Sequence, residues 1–106
     1  MIEIWINCPD YDSANKISEA LISERCIACA NIFPEIDSRY RWKGRIERET
    51  EVPLVVKTRK EFYSRVVTSV RKLHPYETPS IIGIPVEMVN EDYLAWVYTE
   101  TEQDSA

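Results

Sequence analysis

Along this chain the hydrophobic period switches between two residues and 3.6 residues, twice over, and that order restricts the fold more than any other feature. Residues 2–7, "IEIWIN", alternate and are β-branched or aromatic, which predicts a strand from Ile2 to Asn7. Pro9 and Asp10 end it. Asp10 suits a helix N-cap, and Asp12 favours a first turn through the helix dipole. Ala14, Ile17, Ala20 and Leu21 then follow helical spacing, predicting a helix from about Tyr11 to Arg25. Residues 26–33, "CIACANIF", are small and largely apolar and read as a buried strand. Residues 38–47, "SRYRWKGRIE", alternate large and charged side chains about Lys43-Gly44, a predicted hairpin turn. Residues 51–58, "EVPLVVKT", form the returning strand. Pro53 has no N–H for a ladder bond, so that end belongs at an edge or a bulge. Phe62, Val66, Val70 and Leu73 lie on one face of a second helix, Lys60 to Leu73, which His74-Pro75 stops. Residues 80–88, "SIIGIPVEM", read as a fourth strand. Glu91 and Asp92 open a last helix carrying Tyr93, Leu94, Trp96 and Val97. From about residue 100 the tail reads as frayed and solvated.

The resulting order, βαββαβ with a C-terminal helix, is that of the α+β, ferredoxin-like split βαβ sandwich. Four antiparallel strands carry two helices on one face. The other face needs a cover, which the last helix and a neighbouring subunit can supply. An open sheet edge is also a template for pairing with a second chain. The hairpin about Lys43-Gly44, which joins the second and third expected strands, is long and charged on both faces near its tip, so a domain this small cannot cover it. At 106 residues, 1–106 reads as one domain.

A net charge of -5 and a pI of about 4.9 disfavour nucleic acid and anionic membranes as partners. No stretch approaches the ~18 apolar residues of a membrane span. The first residues read as a mature strand and not as a signal peptide, so a cytoplasmic setting is expected. Three cysteines are an odd count, which argues against a closed disulfide framework.

Cys26 and Cys29 are formally C-x-x-C, but the pair closes a helix instead of opening one. Two small buried thiols are the simpler reading. His74 and Glu77 lie three apart, and with the Cys29 thiolate they form a set able to hold copper or zinc. On the residues alone, a helix C-cap whose ring bonds a carbonyl is the simpler reading of His74. A Cys–His nucleophilic pair would lack an orienting group. Only two glycines are present, and no phosphate-binding fingerprint occurs, so an enzyme is not expected. Tyr40 and Trp42 alternate with Arg39 and Arg41 along a strand, with Lys43 following, so aromatics and cations face opposite ways. Aromatic residues and arginine on a protruding hairpin suggest oligomerisation.

Six segments together resemble the CutA family of divalent-cation tolerance proteins. They are "CPD" (8–10), "ERCIACANI" (24–32), "YRWKGRIE" (40–47), "VVKT" (55–58), "LHPYETPSII" (73–82) and "NEDYLAWV" (90–97). The resemblance implies a ferredoxin-like protomer in a PII-like homotrimer built by strand pairing between subunits. It also implies tolerance of copper and other divalent cations, with a site in a cleft between subunits. Carried over by position, Cys29, His74 and Glu77 are the implied metal ligands, and Lys57, Tyr40, Trp42 and Tyr76 line the cleft. Cys26 stands where the family usually has an aliphatic residue. The alternative is a PII-like signalling module, with Lys57 and Arg39 or Arg41 anchoring a small anionic metabolite.

Overall fold

A computed structural model describes residues 1–103. In chain order the elements are β1 (Ile2–Cys8), α1 (Tyr11–Ser23), β2 (Cys29–Ile32), β3 (Ile36–Trp42), β4 (Arg45–Thr58), a 3-10 turn (Lys60–Phe62), α2 (Tyr63–Leu73), β5 (Ile81–Pro85) and α3 (Glu91–Glu100). The strands form one antiparallel sheet in the order β2-β4-β1-β5, and β3 extends it by pairing with the other half of β4. This is the ferredoxin-like arrangement expected from the order of periods.

β1 explains most of the core. Ile2, Ile4, Ile6 and Cys8 point to one face and are buried there. Across that face lie Val52, Leu54 and Val56 of β4, Ala14, Ile17 and Leu21 of α1, and Val66 and Val70 of α2. Each fully buried Ile or Leu contributes on the order of 1.5–3 kcal/mol. Leu73, expected on the same helical stripe, is 45% exposed because α2 ends there and the chain turns away.

α1 starts where Asp10 places it: the Asp10 carboxylate accepts the Ser13 amide at 2.8 Å. It stops at Ser23, two residues earlier than expected, because Arg25 is left-handed (φ 58). Cys26 N–H then donates to the Leu21 carbonyl at 3.0 Å, capping the helix end. Arg25 gains from that position, since its guanidinium donates to the Glu100 and Thr99 carbonyls at 3.2 and 3.0 Å.

Two expectations need correction, and at Pro53 the structure selects the bulge over the edge. The buried run Cys26–Phe33 is not one strand. Cys26 and Ile27 are core residues in an irregular segment, whereas Cys29–Ile32 is a half-exposed edge strand. Pro53 is not at an edge, because β4 lies inside the sheet. Its carbonyl accepts from Phe33 N–H, so its missing N–H faces the same side, toward the break between β2 and β3. There the Ile32–Leu54 pair gives way to Ile36–Glu51, with three intervening residues (33–35) on one side against two (52–53) on the other, which is a bulge. Nor is the chain past Glu100 all solvated. Thr101 is buried, and its hydroxyl accepts from Arg59 Nε at 2.8 Å. Residues 104–106 of the expected frayed tail lie outside the described residues.

Candidate functional site

The long ribbon of β3 and β4 turns at Lys43 and Gly44, both left-handed (φ 49 and 79), as a two-residue hairpin turn requires. Its register sorts the side chains. The pairs Ile36–Glu51, Ser38–Glu49, Tyr40–Glu47 and Trp42–Arg45 share one face. Arg39–Arg48 and Arg41–Ile46 share the other. Tyr40 and Trp42 therefore separate from Arg39 and Arg41 as expected, and their face also carries three glutamates and Arg45.

That face looks onto the corner between α2 and β5. His74 holds the corner in place. It caps α2, its N–H donating to the Val70 carbonyl at 2.8 Å. Its ring Nε2 lies 2.8 Å from the Asn7 carbonyl, and its Nδ1 accepts the Tyr76 amide at 3.2 Å. Nδ1 as acceptor leaves Nε2 as the protonated nitrogen, donating to Asn7. The ring also tilts against Tyr76, with centroids 4.8 Å apart. Tyr76 in turn donates its hydroxyl to Glu51 Oε2 at 3.0 Å. Burial raises the Tyr76 phenol well above its ordinary value, and the Glu51 hydrogen bond and charge raise it further.

Between ribbon and corner is a cleft of about 630 Å³. Tyr40, Trp42, Tyr76 and Glu77, all expected near a site, line it together with Asn7 and Glu51. Asn7 and Glu51 were not singled out from the sequence. The one available signal was an acid at the head of "EVPLVVKT", a segment otherwise apolar up to Lys57 and buried on folding.

Cys29 and Lys57 are elsewhere. They face each other across β2 and β4, and Lys57 faces Glu3 across β4 and β1. Tyr93 of α3 covers this group, with Lys57 Nζ 5.9 Å from its ring centroid. Burial raises the Tyr93 phenol, followed by the charge and hydrogen bond of Cys29. Cys29 Sγ donates to Asn31 Oδ1 at 3.7 Å. Glu3 and Asn7 are four residues apart on β1, roughly 13 Å at about 3.3 Å per residue. Cys29 is also two strands removed from β1, so it does not approach His74 within one protomer.

The ligand set Cys29, His74 and Glu77 therefore does not fit a metal ion in one protomer. Ligands of one ion each lie ~2.0–2.3 Å from it, and both His74 nitrogens are already hydrogen-bonded. Among the described residues no group of three or more His, Cys, Asp or Glu is placed to hold a metal. The C-x-x-C spacing joins unlike thiols. Cys26 is buried, its proton held chiefly by desolvation, whereas Cys29 is half-exposed and not the buried residue expected.

Comparison with known proteins gives one consistent family. The model of the CutA1 divalent ion tolerance protein matches residues 2–100. The divalent-cation tolerance protein CutA of Pyrococcus horikoshii is 43% identical over 103 residues, covering 97% of this chain and all (100%) of that one. Protein CutA of Mus musculus is 40% identical over 101 residues, 95% of this chain but only 57% of the mouse protein. The crystal structure of CutA1 from Pyrococcus horikoshii superposes with a TM-score of 0.91 at 43% identity, covering 97% of this chain and 100% of that one. A structure of the Archaeoglobus fulgidus CutA, described as periplasmic, superposes with a TM-score of 0.93 at 37% identity, covering 96% and 100%.

Proposed function

The chain belongs to the CutA1 divalent ion tolerance family, and from that premise we propose that it serves divalent-cation tolerance as a homotrimeric binding protein without turnover. The observation that carries this reading is the family match over residues 2–100. Two features support the trimer: the open edges of β2 and β5, and a ribbon whose faces extend beyond its own core. The placement of the reactive groups supports the non-catalytic part of this reading. Cys8 and Cys26 are buried thiols, Cys29 is remote from the only histidine, and that histidine has both ring nitrogens in hydrogen bonds.

Copper is the first candidate ion, since a thiolate is a soft ligand. Of the expected ligands, Cys29 and Glu77 remain available, and only different protomers can bring them to one ion. His74 drops out of the set as the residue that shapes the corner. A cytoplasmic setting accords with three free cysteines, and among the described residues no helix is long and apolar enough to cross a membrane. Sedimentation and calorimetry with Cu(II) and Zn(II) test the whole reading on wild type, Cys29→Ser and Glu77→Gln. A trimer whose affinity falls at least tenfold in each variant supports it. A monomer, or affinities equal to wild type, sinks it.

The second reading, a PII-like module for a small ligand, draws on the size and aromatic lining of the cleft. Lys57 does not line that cleft, which removes one of the two anchors expected for an anion. A thermal-shift screen separates the readings, because a ligand at 100 times its Kd adds about 2.7 kcal/mol.

A further inference from the structure

Among the described residues, no cation sits beside the Glu51 carboxylate. The residue is 6% exposed. Its Oε2 accepts the Tyr76 hydroxyl, and among the described residues neither oxygen has a cation within ion-pair distance. Since no buried side-chain oxygen among the described residues lacks a partner, the second Glu51 oxygen opens to the cleft it lines, where a cation can reach it. The wall behind it supplies none: Cys8 is a thiol pushed up to about 12 by burial, then by Asp10 and Glu51.

In front of Glu51 the cleft presents three aromatic rings, Tyr40, Trp42 and Tyr76, with Glu77 at its side. Glu49 and Glu47 follow Glu51 on the same ribbon face. After burial, those three carboxylates are what raise the Tyr40 phenol, which marks a negative field at the ring. A weakly hydrated, planar cation suits such a site. It can stack on aromatic faces and fork onto a carboxylate at once, which a guanidinium does better than a compact ammonium. A hard divalent ion would need more oxygen ligands than Glu51 and Glu77 provide.

The opposite face of the ribbon bears the complementary chemistry. Arg39 and Arg48 sit directly across from each other, an arrangement that destabilises an isolated ribbon. Neither they nor Arg41 has an ion-pair partner among the described residues. Arg39 also reaches the lining of its own cleft, yet no ion pair with Glu51 forms.

We propose that the cleft between the β3–β4 ribbon and the His74–Pro79 corner is a guanidinium-binding site, anchored by Glu51 and walled by Tyr40, Trp42 and Tyr76. The guanidinium comes either from a small solute or from the arginine face of a second copy's ribbon. The solute arm is independent of the metal reading, and the second-copy arm rests on the trimer.

Agmatine is the probe. It is titrated into the full chain by calorimetry, with the Trp42 indole N–H followed by NMR, and with glutamate and Zn(II) as controls. Binding that moves Trp42 and weakens at least tenfold in Glu51→Gln and in Trp42→Ala establishes a solute site. If wild type does not bind agmatine, the triple variant Arg39→Ala/Arg41→Ala/Arg48→Ala decides. A looser oligomer by sedimentation together with newly gained, Glu51-dependent agmatine binding assigns the guanidinium to the second copy. The proposal is overturned if agmatine binds neither protein, if Glu51→Gln binds it as well as its parent, or if glutamate binds in its place. A monomeric wild type sinks the trimer reading and leaves the solute arm to be decided by the titration.

Discussion

Replacing His74 measures whether the corner is held by this one imidazole. The ring is 7% exposed and spans two backbone groups, the Asn7 carbonyl at 2.8 Å and the Tyr76 amide at 3.2 Å. His74→Ala removes both hydrogen bonds and strands a partly buried N–H. At about 1 kcal/mol per net bond, and about 1–3 kcal/mol for a buried donor left unpaired, the loss is about 2–4 kcal/mol. His74→Asn keeps an oxygen near the position of Nδ1, restoring the Tyr76 contact but not the reach to Asn7, so it recovers about half of the loss. Urea unfolding at fixed protein concentration is the assay, because assembly couples stability to concentration. With a slope of about 2 kcal/mol per molar, the alanine variant's midpoint falls by about 1–2 M at unchanged slope. Calorimetry with Cu(II) on folded His74→Asn reproduces the wild-type affinity. A stability loss below about 0.5 kcal/mol, or Asn no better than Ala, would falsify the structural role. A tenfold weaker Cu(II) affinity would return His74 to the metal.

Asp10 gives a pH test: the Ser13 amide, accepted by its carboxylate, holds the carboxyl below its ordinary value of 3.8. A depressed folded value means that its stabilisation is complete above about that pH and is lost as acid protonates it, so urea midpoints from pH 6 to 2 fall less steeply for Asp10→Asn than for wild type. Gly83 lies under Tyr63, whose Cδ1 would be 3.0 Å from an added Cβ; Gly83→Ala is expected to shift the Tyr63 ring, whose hydroxyl donates to the Ile81 carbonyl at 2.7 Å, and unchanged Tyr63 ring resonances by NMR would contradict the packing described. The thiols differ in access. A disulfide reagent at neutral pH is expected to titrate Cys29 alone in the native protein, with Cys8 and Cys26 reacting only after denaturation; rapid native reaction of Cys8 would contradict its burial.

The alternation of Ile2, Ile4 and Ile6 and the caps at Asp10 and His74 were legible because each depends on neighbours a few residues away. The same holds for the Lys43-Gly44 turn and for the division of Tyr40 and Trp42 from Arg39 and Arg41, which a two-residue period dictates once a strand is granted. Pro53 was half legible. Its missing donor announced a bulge, but only the sheet order shows that the bulge lies inside the sheet, where β2 gives way to β3. Arg25 misled the helix end, since a left-handed arginine is unusual and is held by carbonyls more than seventy residues away.

The candidate site divides along the same line. Residue types and order alone were enough to bring out Cys29, Lys57, Tyr40, Trp42, His74, Tyr76 and Glu77. They could not tell that β1 keeps Cys29 and Lys57 at one end of the sheet and the other five at the opposite end. Nor could they bring out Glu51, whose meaning comes from three rings, Tyr40, Trp42 and Tyr76, the last of which donates its hydroxyl to it. Periodicity is a local property, set by how successive side chains leave one backbone. The pairing of charges and donors across space depends on sheet register and chain crossing, and only the folded chain decides it.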